Sequence, residues 1–291
     1  MKKIILTIAF LFFVLSLLVF GFLNKEKISF KKEKNIAFSI YPFYYLGKEI
    51  IKDKIETVLI LPPGSDPHNF DLEPSLAKKI SGSSLIFYSG TDVDVWVNKI
   101  KNLNPQARFI NLSEGLDLIK EKETIDPHFW LSLKENKKIA QRIYEEVVKI
   151  DPENAKFYKE NLQNLENKIN ELENFAQNEL KDLKSRYLIT KHNAFRYFAR
   201  DFNLKIIGYL EKEEGELTLG EIKKLIDNIK NLKIKVIFGE KFSNNQKVEN
   251  FAKELGLKVY YLDTLEKGKK DFFESYKENI KIIKEALNES N

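Results

Sequence analysis

Three histidines, His68, His128 and His192, are the only ones in 291 residues, and each lies in a segment suited to fixing its position. Two follow the same dipeptide, in Asp66-Pro67-His68 and Asp126-Pro127-His128, and the third closes the run Tyr187-Leu188-Ile189-Thr190-Lys191-His192. Imidazole is the usual neutral nitrogen ligand of zinc, and three of them with one carboxylate complete a tetrahedron. The chain has no cysteine, which excludes disulfides, thiolate metal sites, iron–sulfur clusters and a cysteine nucleophile. A metal site of nitrogen and oxygen donors is the chemistry these residues favour.

Two acids compete for the fourth position. Asp263 follows the apolar run Lys258-Val259-Tyr260-Tyr261-Leu262, and Glu240 follows Ile237-Phe238-Gly239, either as a ligand or as an acceptor behind one. Asp66 and Asp126 stand two residues before histidines, where capping or turn bonding is the ordinary task of an aspartate. Pro62, Pro63 and Pro67 stiffen the loop before His68, because proline fixes its own backbone and disfavours helix in the preceding residue.

The elements that must carry these residues alternate between short apolar runs and longer amphipathic ones. Residues 36–41, ended by Pro42, 56–61, 85–89 and 108–112 read as strands, with helices near 43–52, 73–81, 92–101 and 133–149. A second set repeats the order: strands at 187–190, 205–210, 235–239 and 258–262, helices near 194–202, 218–231 and 244–255. Strands separated by helices imply crossovers and parallel sheets covered on both faces. Between the halves, Asp151-Pro152 opens a helix predicted to run to about Lys184, with Asp151 as its cap. Phe157, Leu162, Leu165, Ile169, Leu172, Ala176, Leu180 and Leu183 give it one apolar stripe, and about 33 residues span about 50 Å. The expected fold class is therefore α/β, two parallel-sheet lobes bridged by one long helix. The expected divisions are a segment 1–34, a lobe 35–150, the connecting helix 151–185 and a lobe 186–291. A rigid connector of this kind predicts small lobe movements. Ligands of open parallel sheets collect beyond the carboxyl ends of strands, where the histidines and both acids are expected.

The first residues address the chain. Lys2 and Lys3 precede an uncharged apolar stretch from Ile4 to Leu23, long enough for the ~30 Å of a bilayer core. A retained membrane anchor is the preferred reading, with a cleaved secretory signal as its rival; Val19-Phe20-Gly21 is a poor cleavage site. Either one places the rest outside the cytoplasm. The net charge of +5 resides wholly in residues 1–34, which hold seven lysines and two glutamates, so the remainder is formally neutral. Those lysines read as juxtamembrane charge, and nothing marks a nucleic-acid binder.

Four segments carry a resemblance to a known family: Ser39-Ile40-Tyr41-Pro42, Pro63-Gly64-Ser65-Asp66-Pro67-His68, Asp126-Pro127-His128-Phe129-Trp130-Leu131 and Thr190-Lys191-His192-Asn193-Ala194-Phe195-Arg196-Tyr197-Phe198-Ala199. From about Ile36 to Ile282 the chain resembles the metal-binding solute-binding proteins of bacterial zinc and manganese ABC importers, the zinc-uptake or TroA-like family. The resemblance implies two α/β lobes joined by a long helix and a metal set of His68, His128, His192 and Asp263. It implies an extracytoplasmic, membrane-tethered or periplasmic monomer that hands a transition-metal ion to an ABC permease. A histidine at 192 implies Zn2+; carboxylate-richer members take Mn2+, and replacing imidazole with carboxylate favours harder ions, so Mn2+ or Fe2+ is the alternative cargo. Two family features are absent: a His- and Asp-rich loop in the first lobe, and a cysteine for lipidation.

An enzyme is the competing class, since three histidines also hold a catalytic zinc with one position open to water. No two histidines lie within a His-Glu-x-x-His helix, and a fourth ligand at Asp263 leaves water no position. A carrier, not an enzyme, is expected. A surface adhesin with bound metal is the other alternative.

Overall fold

Aromatic and β-branched runs fold into two four-stranded sheets. The computed structural model describes residues 35–67, 70–121, 124–212 and 215–289; the apolar N-terminal segment and His68 lie outside the described residues. In the first half, β1 (Asn35–Phe38), β2 (Thr57–Leu59), β3 (Ser83–Tyr88) and β4 (Arg108–Asn111) pair in the order β2-β1-β3-β4, all parallel. Helices α1 (Tyr41–Ile51), α2 (Pro74–Ile80) and α3 (Val97–Leu103) connect them. A two-stranded antiparallel ribbon, β5 (Lys120–Glu121) and β6 (Thr124–Ile125), precedes Asp126, and α4 (Leu133–Ile150) closes this half.

The second half repeats the plan. Strands β7 (Tyr187–Thr190), β8 (Lys205–Tyr209), β9 (Val236–Glu240) and β10 (Lys258–Leu262) form a parallel sheet ordered β10-β9-β7-β8, connected through α6 (Arg196–Asp201), α7 (Leu219–Asn231) and α8 (Gln246–Leu255). Numbered from its own first strand, each sheet has the same order. The chain therefore reverses direction across the sheet at equivalent places, between β1 and β3 and between β7 and β9, the switch points where open α/β sheets bind ligands. Beside the first of these, just after β3, Asp94 is buried, and its carboxylate accepts the Ser89 and Gly90 N–H groups at 2.5 and 3.3 Å.

Strand alternation assigns the cores. Leu188, Val236 and Phe238 face the main core, whereas Ile189 and Ile237 face a smaller one with Leu225 and Ile229 of α7 and Val248 and Ala252 of α8. The main core runs without a break from Ile36 in β1 to Leu287 near the C-terminus, so the halves share one apolar interior. Gly47 lies in α1 because the Phe38 ring packs on its backbone, 2.1 Å from where a Cβ would stand.

The connecting helix, α5 (Ala155–Glu179), has 25 residues and follows a 3-10 turn at Pro152–Asn154, giving about 38 Å of α-helix. It packs on α1 and α4 of the first half and on a C-terminal helix, α9 (Phe272–Glu289), of the second. Its buried stripe is Tyr158, Leu162, Leu165, Ile169, Leu172 and Ala176; Tyr158 takes the place expected for Phe157, and Leu180 stands at the C-cap. Asp151 does not cap the backbone. Its Oδ2 accepts from Asn154 Nδ2 at 2.9 Å and from Tyr158 Oη at 2.5 Å, which draws Tyr158 inward.

Other departures have similar causes. β1 ends at Phe38 and Pro42 sits in the first turn of α1, where its missing N–H costs nothing. The helices expected at 92–101 and 194–202 each begin with a 3-10 turn, at Asp92–Asp94 and Asn193–Phe195. The ribbon β5–β6 and helix α9 were not expected. Among the described residues no helix is long and apolar enough to cross a membrane.

Candidate metal centre

His192 emerges two residues beyond β7 and leads into the Asn193–Phe195 turn and α6. Glu240 is the last residue of the adjacent strand β9, so the two meet at the second sheet's switch point. The Glu240 backbone is held on both sides by Asn245, which accepts its N–H at 2.9 Å and donates to its carbonyl at 2.7 Å.

His128 arrives from the first half, ahead of the buried turn Phe129–Leu131. That turn is anchored in the second half: Trp130 Nε1 donates to Thr264 O and Tyr276 Oη to Leu131 O, each at 2.8 Å. Phe43 of α1 packs on both Phe129 and Trp130. Ser132 caps α4 by accepting the Glu135 N–H at 3.1 Å and donates its hydroxyl to Asp201 of α6 at 2.5 Å. Arg200 of α6 pairs with the fully buried Glu135 at 3.4 Å. Tyr197 Oη accepts from the Ile119 N–H at 2.9 Å and donates to Asp126 O at 2.8 Å. The elements that follow the two histidines are thus fastened directly to each other.

The result is that His128 Nε2 and His192 Nε2 face each other at 3.2 Å. Two nitrogens bound tetrahedrally to zinc at about 2.05 Å stand about 3.3 Å apart. Each ring is held from behind through Nδ1, His128 by Asp126 Oδ1 at 3.0 Å and His192 by Glu240 Oε1. Burial opposes the Glu240 charge, but the hydrogen bond and charge of His192, with Lys191 and Lys267, outweigh it and hold the carboxyl down at about 2.

Asp263 follows β10 and is buried; its Oδ1 accepts the Leu265 N–H at 2.8 Å, and Asn279 brackets its backbone at 2.9 and 2.7 Å. Among the described residues no three His, Cys, Asp or Glu side chains stand close enough together to enclose a metal ion. The structure therefore brings together His128 and His192, with Asp126 and Glu240 behind them, and does not draw Asp263 into a three-donor group with them.

Sequence reasoning missed Glu266. This carboxylate is buried, Oε1 accepting from Thr264 Oγ1 at 2.6 Å and Oε2 meeting no hydrogen-bond donor. Burial pushes its carboxyl up; the Thr264 hydroxyl and the charges of His192 and His128 pull the other way without prevailing. The only sequence signal was a second acid three residues after Asp263. Lys191 was also overlooked: its buried ammonium lies 3.5 Å from Glu240 Oε2.

Two parallel α/β halves on a shared helix, with imidazoles from both meeting between them, define a protein of the two-lobed solute-binding class. The family model of the periplasmic zinc-uptake complex component A matches residues 36–286, and the chain belongs to that family, which consists of solute-binding proteins and not enzymes. It is 27% identical to the high-affinity zinc uptake system protein ZnuA of Bacillus subtilis (strain 168), over 87% of each chain. It is also 27% identical to the manganese ABC transporter substrate-binding lipoprotein PsaA of Streptococcus anginosus, over 99% of each. A crystal structure of ZnuA superposes with a TM-score of 0.80 at 29% identity, covering 87% of this chain and 99% of the other.

Proposed function

We propose that this chain captures a divalent transition-metal ion outside the cytoplasm and delivers it to an ABC permease, with Zn2+ as the cargo. The supporting observation is the opposed Nε2 pair, contributed by both halves at the separation of two ligands on tetrahedral zinc. In this reading His68 and Asp263 join His128 and His192 around the ion, and the lobes are 35–150 and 186–291 with 151–185 between them. The stretch Ile4–Leu23 directs the chain out of the cytoplasm and tethers it there, as a monomer. Zinc and manganese transport both occur among the relatives, so Mn2+ is the second reading, supported by the carboxylates around the pair.

The test is elemental analysis of protein purified without added metal, followed by competitive titration of Zn2+ against Mn2+. Stoichiometric zinc that manganese does not displace is expected, with binding lost in His128→Ala. Preference for Mn2+ would transfer the reading to the manganese cargo. No binding of either ion would end it.

A further inference from the structure

Resting on the metal-capture reading, we propose that Glu240 and Asp126 are positioning residues that hold the two imidazoles with Nε2 toward the ion, and that Lys191 keeps Glu240 itself from ligating. Glu240 sits where a ligand would be sought, one strand from His192, but both of its oxygens are engaged. Oε1 takes His192 Nδ1, and Oε2 faces Lys191 Nζ at 3.5 Å. Lys191 is itself buried and held in place, donating to Ser243 Oγ at 2.6 Å and lying 3.5 Å from Glu211 Oε2. For Glu240 to turn onto an ion it must abandon the imidazole and leave the buried ammonium with Glu211 and Ser243 alone, a costly exchange in a low-dielectric setting.

Asp126 reaches the same end by a different route. One oxygen, Oδ1, accepts both the His128 backbone N–H and Nδ1, each at 3.0 Å, across Pro127. The aspartate is fixed by its own backbone, which donates to Ile119 O at 2.9 Å and accepts from Tyr197 Oη. Arg196 Nε stands 3.8 Å from the other oxygen, Oδ2. A carboxylate on Nδ1 requires the proton to sit there. It fixes the tautomer, makes Nε2 the unprotonated nitrogen and raises its basicity as a ligand. The two halves have thus built the same carboxylate–imidazole unit on unrelated local structures, a β-strand end and an Asp-Pro-His turn. Each unit delivers one nitrogen to the same point.

The experiment compares Zn2+ affinity by chelator competition in the full chain, Glu240→Ala, Glu240→Gln and His192→Ala. In parallel, zinc-loaded protein with 15N-labelled histidine is read by NMR. Two exchange-protected Nδ1–H protons are expected in the parent, and the His192 proton disappears in Glu240→Ala. Affinity falls 10- to 100-fold in Glu240→Ala, the range for loss of a partner behind a ligand. It falls less in Glu240→Gln, whose amide oxygen still accepts. Loss in Glu240→Ala equal to that in His192→Ala would make Glu240 a ligand and overturn the proposal. So would unchanged affinity, or ligation through Nδ1 in the parent. A parent chain that binds no metal would instead remove the proposed function on which this rests.

Discussion

The tie between the helices that follow the two histidines can be tested at Arg200. Its guanidinium reaches from α6 to Glu135 on α4, whose side chain is 0% exposed; Glu135 also meets Lys138 Nζ at 3.0 Å and the Asp117 N–H at 3.3 Å. Arg200 additionally donates to Asp117 O at 2.6 Å and lies over the Tyr197 ring. Removing one partner from a buried ion pair costs about 3–5 kcal/mol, because the remaining charge is left in a poor solvent. Lys138 remains in Arg200→Ala, and Arg200 is 29% exposed, so the expected cost is lower, about 2–3 kcal/mol. For a chain of this size that is a Tm lower by about 4–12 °C. The sharper measurement is a double-mutant cycle in urea on metal-free protein. Glu135→Gln introduced into Arg200→Ala should recover part of the loss, since it removes a buried charge that Lys138 alone then offsets. A loss below about 0.5 kcal/mol, or two losses that simply add, would refute the reasoning and leave the pair energetically idle.

Leu165→Ala, at a 1% exposed position in the centre of the connecting helix, should cost about 2–5 kcal/mol by equilibrium unfolding. Asp94 gives a pH signature: burial pushes its carboxyl up to about 6, despite the N–H groups of Ser89 and Gly90, so the folded state holds a proton that the unfolded chain releases. That contribution is complete below the ordinary aspartate range and is lost as pH rises through about 6, a change of about 3 kcal/mol. Urea midpoints of the parent and Asp94→Asn, compared from pH 3.5 to 7, should diverge with that sign. Zinc affinity should weaken as pH falls toward 5, because an imidazole binds metal only after losing its proton; a flat titration from pH 7.5 to 5 would contradict imidazole ligation.

Much of the scaffold was legible because its signals are local and periodic. The eight sheet strands are short apolar runs between turn residues, and the stripe from Leu162 to Ala176 keeps helical spacing. Errors arose where one residue has two readings. Pro42 stops a strand or starts a helix with equal chemistry, and the backbone on either side decides. Phe157 and Tyr158 both fit the stripe by phase; Tyr158 goes inside because Asp151 receives its hydroxyl. Helix α9 was readable from Phe272, Tyr276, Ile280, Ile283 and Leu287, each three or four residues from the next. At the site, the histidines declared themselves by rarity, and His128 and His192 do meet. Asp126 bonds the histidine two positions on, but Glu240 and Lys191 act through partners 48 and 52 positions away and Glu266 through burial, which no short window of sequence encodes.

The two sheets share one strand order, yet different side chains stand at their switch points. In the first half the chain's own Asp94 is buried beside the end of β3, its carboxylate taken up by two amide groups. In the second half a histidine and a glutamate occupy the corresponding notch and look outward to a ring from the other side. An architecture with twofold internal repetition is thereby left asymmetric, with paired imidazoles at one switch and a buried acid at the other. If the proposed site lies at the second of these switches, metal titration should saturate at one ion per molecule.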